Sequence, residues 1–397
     1  MHGPLTIAAL TIHRIAIPMK LKFRHAAADR AESEPLILEI ELANGVTGFG
    51  ETHPRRYVTG ESADDVVAAI RDFFLPRLVE VRPANFGEAI AAAAELPTHD
   101  DAGRIVTAAR AAVELALLDA YARAFDRSLE SLAGWISETD LGAPGSRSTV
   151  RFGGVVSACD PAAAARSIRK MRLYRLCHFK LKVGDGNDQP RIDAVVRALG
   201  RGLPRGKTTL RLDANGAWGL EEAARRLTAL EPLPIVCVEE PLARGHMDDW
   251  AALSTRTNVP MMADESLVIE ADAEALIAHG AASWFNIRIS KNGGLIPAMK
   301  LALLAARHHV DVQLGCMVGE TSILSAAARW FLQQVPNVQF AEGNFGRFLL
   351  AEDVVSRPLR FGFGGRWKPL TGPGLGVRPE TDRLRNLAAQ TPMYLPL

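Results

Sequence analysis

A chain of 397 residues is two to three times the length of a typical domain, which points to two domains or to one large barrel with an appendage. Its hydrophobic fraction of 48% and charged fraction of 23% are those of a globular protein and exclude a disordered or fibrous chain. With 46 Lys and Arg against 45 Asp and Glu, and with both signs well mixed, no global field would recruit nucleic acid or an anionic membrane.

The first 60 residues read as β structure. The segments 5–17 and 36–42 are rich in Ile and Leu, and Ala43-Asn44-Gly45 supplies a turn into 46–51. Helical spacing of apolar residues follows over 62–75 and 85–94, and most strongly over 103–125, where Ile105, Ala109, Ala112, Val113, Ala116 and Leu117 share a face. Glu114 and Asp119 within that helix read as solvated or partner-bound charges. Residues 134–148, dense in Gly and Ser, read as a linker. Beyond Thr149 short apolar strands alternate with helices. The strands are expected at 150–157, 178–183, 209–213, 235–239, 260–264, 284–289, 311–315 and 338–342, with helical segments such as 160–171, 220–230, 271–278 and 296–308 between them. This alternation predicts a parallel α/β barrel rather than an open sheet. No GxGxxG or GxxxxGK[ST] follows any strand, which argues against a nucleotide-binding α/β fold. The last 50 or so residues do not continue the period and are expected to cross back to the N-terminal region.

Four cysteines, Cys159, Cys177, Cys237 and Cys316, stand far apart without a CxxC pair, so neither a zinc site nor a disulfide framework is indicated. No apolar stretch approaches the roughly 18–20 residues that span a bilayer, and His13, Arg14 and Lys20 interrupt the N-terminal apolar runs. The expectation is a soluble, cytoplasmic protein with no nucleic-acid or membrane partner.

The informative feature is charge at the ends of apolar strands, which in a barrel form the active face. Side chains alternate along a strand, so Lys180 and Lys182 share the interior face of the second barrel strand, with Phe179, Leu181 and Val183 outside. The third strand places Arg211, Asp213 and Asn215 on one face; the fourth ends at Glu239 and the fifth at Asp264, followed by Glu265. One such carboxylate reads equally well as a helix N-cap. Three at consecutive strand ends would repel strongly unless neutralised, and a divalent cation is the natural partner. An all-oxygen set selects Mg²⁺, or Mn²⁺, over Zn²⁺. A KxK pair is ordinarily a solvated strand face, but here the alternating positions are apolar. Two inward ammonium groups are expected to depress one another and move one towards service as a base. A metal opposite such a base would stabilise the enolate formed when a proton is removed next to a carboxylate.

The runs FKLKVG (179–184), RLDANGAW (211–218), VEEPL (238–242), ADESL (263–267), NIRISKNGG (286–294) and GCMVGETS (315–322) resemble the enolase superfamily. Within it they are similar to the muconate-lactonizing (muconate cycloisomerase) subgroup, of mandelate racemase/muconate lactonizing enzyme type. GFGET…TGES (48–62) and PLTGPGLGV (369–377) resemble that family's capping domain. The resemblance implies an α+β cap over residues 1–137, a (β/α)₇β TIM-like barrel catalytic domain over 149–345, and a segment 346–397 returning to the cap. It implies Asp213, Glu239 and Asp264 as Mg²⁺ ligands, Lys182 as catalytic base and Lys180 as its electrostatic partner. Asn215 and Glu265 match supporting groups behind the ligands, and Glu320 matches a carboxylate beside the site. Cap loops at about 20–34 and 52–60 would cover a small carboxylate substrate, and relatives of this kind are often homo-oligomers.

One position departs from the subgroup. Its second lysine, on the opposite face of the substrate, falls here on Arg288, while Lys291 has the opposite parity and lies in the loop beyond. A guanidinium makes a poor base. Racemisation or epimerisation, which needs an acceptor on each face, is therefore disfavoured, and Arg288 is left to stabilise charge or clamp a carboxylate. The reading is a Mg²⁺-dependent isomerase of cycloisomerase type. The alternatives are a lyase removing water, an epimerase, or a barrel that only binds a carboxylate.

Overall fold

The structure is a computed structural model and describes residues 5–25, 28–136, 149–186 and 188–397. Two parts face one another. The first is an antiparallel sheet of four strands: β1 (Ile7–Arg14), β4 (Leu36–Leu42), β5 (Thr47–Thr52) and, from the far end of the chain, β14 (Met393–Pro396), in the order β14-β1-β4-β5. β14 pairs with β1 through Ala9–Pro396 to Ile12–Met393, so both chain ends build this sheet. A separate hairpin, β2 (Ile17–His25) with β3 (Ala28–Ser33), occupies most of the segment expected as a covering loop at 20–34. The alternation Met19-Lys20-Leu21-Lys22-Phe23 carries the strand period. The linker expected at 134–148 begins later: a helix runs over Ser131–Ile136, and residues 137–148 lie outside the described residues.

The helix Thr107–Ala124 lies at the centre of the molecule, with every residue from Thr107 to Ala122 buried. Gly48 and Gly50 of β5 make this approach available, because a Cβ at either would overlap the helix backbone at Ala120 or Ala112. Its two charges are partnered rather than solvated. Glu114 accepts from Ile296 N (2.9 Å) and pairs with Arg110, while Asp119 accepts from Phe49 N (3.0 Å) and Leu375 N (2.7 Å). One helix thereby ties the cap sheet, a barrel helix and the C-terminal segment together.

The second part is the barrel. Its eight parallel strands run in sequence order: β6 (Gly154–Val156), β7 (His178–Lys182), β8 (Thr209–Asp213), β9 (Val238–Glu239), β10 (Met261–Ala263), β11 (Trp284–Ile287), β12 (Asp311–Leu314) and β13 (Val338–Ala341). A helix follows each of the first seven, and the parallel bridge Phe152–Ala341 joins the last strand to the first, giving a (β/α)₇β barrel. The helices at Asp188–Leu199, Met247–Ser254 and Ser322–Gln334 complete the alternation that the sequence shows only in part. Outward-facing Phe179, Leu181, Leu210, Leu212 and Phe285 are fully buried beneath these helices. Inside, the start of the barrel is filled by Cys237, Met262, Trp284 and Phe340, and the charged residues occupy the far end. Among the described residues no helix is long and apolar enough to cross a membrane.

Candidate active site

Strand register brings the predicted residues to one end of the barrel. Lys182 lies beside Asp213 and Asp213 beside Glu239 across successive strands. Lys182 Nζ donates to Asp213 Oδ2 (2.6 Å) and Asn215 Oδ1 (2.8 Å). Lys180 Nζ lies 3.2 Å from Asp213 Oδ2, 3.2 Å from Glu239 Oε2 and 2.7 Å from Glu342 Oε2. Arg288 pairs with Asp264 and stands 3.8 Å from Glu239 and 3.9 Å from Glu265. Asn215 donates to Glu265 Oε1 at 3.2 Å. Asn215 and Glu240, each just past a strand end, adopt left-handed backbone at φ 46° and 42°, a conformation that non-glycine residues hold only where the surroundings enforce it.

The electrostatics correct one expectation. Burial presses Lys180 towards neutrality, but Glu239, Glu342 and Asp213 outweigh it and hold its ammonium above the usual lysine range. Mutual repulsion of the two lysines is therefore not what sets Lys180: the three carboxylates within 3.2 Å of its Nζ do. Asp213 is held below the usual carboxylate range: Lys182 and Lys180 overcome the opposing effect of burial. Glu239 is pushed up by burial and by Asp213. Glu265 is pushed up to about 8 by burial and then by Glu240 and Asp213.

Glu320, expected beside the site, is not among the residues lining the cavity above Lys182, although it acts electrostatically on Cys316 and Arg288, which do line it. Its Oε1 accepts from Met317 N (2.6 Å), its Oε2 lies close to Gly343, and burial raises its carboxyl well above the ordinary range. Lys291 is also turned away from the reaction space: it is fully buried and donates to Asp264 O (2.6 Å), Asp264 Oδ1 (3.1 Å) and Asn286 O (2.8 Å).

Several contributing residues escaped the sequence reading. Glu342 links Lys180 to Arg211, whose guanidinium lies 3.1 Å from its Oε1 and 4.4 Å from the Phe340 ring centre. Glu342 obeys the rule that found Glu239, a carboxylate of interior parity closing an apolar strand. Asn286 donates to Glu239 Oε1 at 2.9 Å. Glu240 accepts from Asp264 N (2.7 Å) and Ser266 Oγ, holding the fifth strand end against the fourth. The loop at 52–60 docks through Thr52 and His53 on Ser290 Oγ, at 2.9 and 3.0 Å, and carries Arg55 and Tyr57 to the cavity above the barrel end.

Asp213, Glu239 and Asp264 are all fully buried and offer only oxygen, the donor chemistry of a hard divalent cation. Glu265 Oε2 accepts no hydrogen bond, which leaves oxygen capacity unused there, whereas Asp264 Oδ2 is taken up by the Arg288 guanidinium. Among the described residues no three carboxylate, imidazole or thiol groups already stand in metal-holding geometry. The carboxylates are instead met by Lys180, Lys182, Arg288 and Lys291. The donor set fits Mg²⁺ or Mn²⁺ by its chemistry.

Residues 8–134 match the family Mandelate racemase / muconate lactonizing enzyme, N-terminal domain, and residues 162–383 match Enolase C-terminal domain-like. Over 381 residues the chain is 27% identical to a chloromuconate cycloisomerase of Cupriavidus pinatubonensis, with 94% of this chain and 96% of that one covered. Its fold is similar to that of the N-succinyl Arg/Lys racemase of Bacillus cereus, with TM-score 0.85 and 24% identity over 98% of this chain and 100% of the other. It is also similar to a dipeptide epimerase of Cytophaga hutchinsonii solved with Mg and the dipeptide D-Ala-L-Val, with TM-score 0.83 and 24% identity over 98% and 100% of the two chains.

Proposed function

Because this chain belongs to the mandelate racemase/muconate lactonizing enzyme family of the enolase superfamily, we propose that it is an isomerase that moves a proton at the carbon next to a substrate carboxylate, in the manner of a muconate cycloisomerase. Lys182 is the acid and base, set at the cavity with its Nζ fixed by Asp213 and Asn215. Lys180, kept charged by three carboxylates, adds positive potential beside it. Asp213, Glu239 and Asp264 would hold Mg²⁺, or Mn²⁺, and the ion supplies positive charge that stabilises the carboxylate as its neighbouring carbon loses a proton. Arg288, reaching the same cavity, provides a planar fork for a substrate carboxylate. Arg55 and Tyr57 form part of the cover that limits water at the reacting carbon.

The observation that carries this reading is the unequal placing of the cations. Lys182 and Arg288 both line the cavity, Arg288 at the position where the motif of the resemblance carries a second lysine, and Lys291 is locked onto Asp264. Proton transfer from one side follows, which suits cycloisomerisation and disfavours two-base inversion. The test is mass spectrometry of pooled dipeptides, N-acyl amino acids, muconates and acid sugars, incubated with the enzyme and Mg²⁺ in D₂O. A deuterated lactone, or exchange with retained configuration, supports one-sided chemistry. Loss of water moves the assignment to a lyase using the same base. Inversion at the exchanged carbon overturns the one-sided reading.

A further inference from the structure

The cavity above Lys182 extends beyond the barrel axis. It encloses about 800 Å³, the size that surrounds a drug-sized ligand rather than a few atoms. Lys180, Lys182 and Arg288 line one end, whereas Met171, Tyr174, Leu176, Phe348, Leu349 and Phe361 line the other. The two ends communicate because the barrel wall is incomplete between its first and last strands. The residues just before β6 meet the last residue of β13, through the Phe152–Ala341 bridge and Gly153 N donating to Ala341 O at 2.8 Å. Among the described residues no backbone hydrogen bond joins Gly154–Val156 to Glu342–Asn344. Val155, the register neighbour of Lys180, is half-buried on this opening.

No helix directly follows β13; the chain instead makes a single 3₁₀ turn at Gly346–Phe348. That turn sets Phe348 against Tyr174 at 5.5 Å between ring centres and against Phe361 at 5.2 Å, and Phe363 stands 5.4 Å from Tyr174. Phe348 is 39% and Phe363 50% exposed, so this aromatic cluster is not closed over by the protein's own chain. Cations stand at the edge of this wall, with Lys170 in the lining, Arg360 5.8 Å from the Phe348 ring and Arg175 5.4 Å from the Phe363 ring, while along its aromatic and aliphatic faces an apolar group gains from burial.

We propose that the split between β6 and β13 is a subsite for an apolar tail, alkyl or aryl, carried by the carboxylate substrate. The tail leaves the reacting centre past Val155 and lies on Met171, Tyr174, Phe348 and Phe361, with its end near the exposed Lys170 at the rim. The proposal rests on the reading that the substrate carboxylate sits at the charged barrel end. It narrows the substrate class to carboxylates with an extended apolar substituent.

Calorimetric binding of straight-chain alkanoates of four to twelve carbons, with Mg²⁺ present, tests it. The dissociation constant is expected to fall about fourfold per added methylene over the first several additions. Ser167→Trp, on the half-buried side of the helix lining the opening, is expected to abolish this dependence and leave butyrate binding unchanged. Phe348→Ala, at an exposed position, should reduce the dependence severalfold with the melting curve preserved. A dependence that is absent in the unaltered protein, or undiminished in folded Ser167→Trp, overturns the subsite. Proton exchange on short substrates separates the two readings. Exchange without any tail effect defeats the subsite alone. Tail-dependent binding that is blocked by Ser167→Trp, with no exchange on any carboxylate, retains the subsite and defeats the assignment of the base.

Discussion

The two ends of the barrel interior are made by the same strands at the same parity, two residues apart, and are built on opposite principles. At the beginning of the barrel, Trp284 stacks on Phe340 at 5.5 Å with Met262 and Cys237 beside them, and the Arg211 guanidinium lies over the Phe340 ring. At the far end, Asp213, Glu239, Asp264, Glu265 and Glu342 crowd around Lys180, Lys182 and Arg288. Around that one buried guanidinium, the first layer is apolar packing that stabilises the fold. In the second, desolvated like charges face one another, an arrangement that costs stability and is retained where charge develops during a reaction. A barrel can carry both because the helices and the cap bury the layers from outside.

This contrast is testable at both ends. The largest effect is expected for Lys182→Ala, which removes the base and should lower turnover by about 10³-fold or more, with an unchanged circular dichroism spectrum. Retained turnover would remove Lys182 from the chemistry. In the opposite layer, Trp284→Ala leaves a cavity against Phe340 and Met262. It should cost about 3–5 kcal/mol in denaturant unfolding, with turnover per folded molecule changed far less. Glu239→Gln sharpens the contrast, because it relieves repulsion from Asp213 and leaves Lys180 paired with Asp213 and Glu342, while an amide oxygen still accepts from Asn286. Its unfolding free energy should fall by less than about 1 kcal/mol, or rise, while turnover is lost. A loss as large as that of Trp284→Ala would show that the charged layer also supports the fold. Arg288→Lys tests the one-sided reading: inversion at the exchanged carbon should appear in the variant and be absent from the parent.

Much of this arrangement was legible because two simple rules act together. Strand alternation identifies which residues point inward, and the last inward residue of each parallel strand lies at the active end, which suffices for Lys182, Asp213, Glu239 and Asp264. Residues whose role depends on loop paths were not legible. Lys291 has outward parity in the sequence and is nonetheless fully buried, because the turn after β11 folds its side chain back onto Asp264. Glu320 sits in a recognisable motif, yet the turn that follows β12 ties its carboxylate to Met317 N, and Met317 rather than Glu320 lines the cavity. The hairpin β2–β3 shows strand alternation within a segment first read as a covering loop. The opening between β6 and β13 depends on which backbone hydrogen bonds fail to form, which no residue type announces.

The smallest expected effect concerns His178, at the start of β7 and therefore in the stabilising layer. Its Nδ1 lies 3.0 Å from Thr209 Oγ1, and its ring meets the Phe340 ring edge-on at 5.3 Å. Burial lowers its pKa to about 4, with Arg211 and Arg151 adding repulsion. The folded protein thus keeps the ring neutral where an unfolded chain, with a histidine pKa near 6.5, takes up a proton. Between those values the unfolded state binds more protons, so this contribution to stability is complete above about pH 6.5 and is lost as pH falls towards about 4. His178→Asn removes the titrating group and retains a polar atom for Thr209. Its melting temperature should therefore fall less than the parent's between pH 7 and pH 5, and the comparison cancels the carboxylates common to both proteins. An equal fall in the two would mean that the ring takes up its proton as readily in the folded barrel as in the unfolded chain, and that the layer beneath the active end accepts a second positive charge beside Arg211.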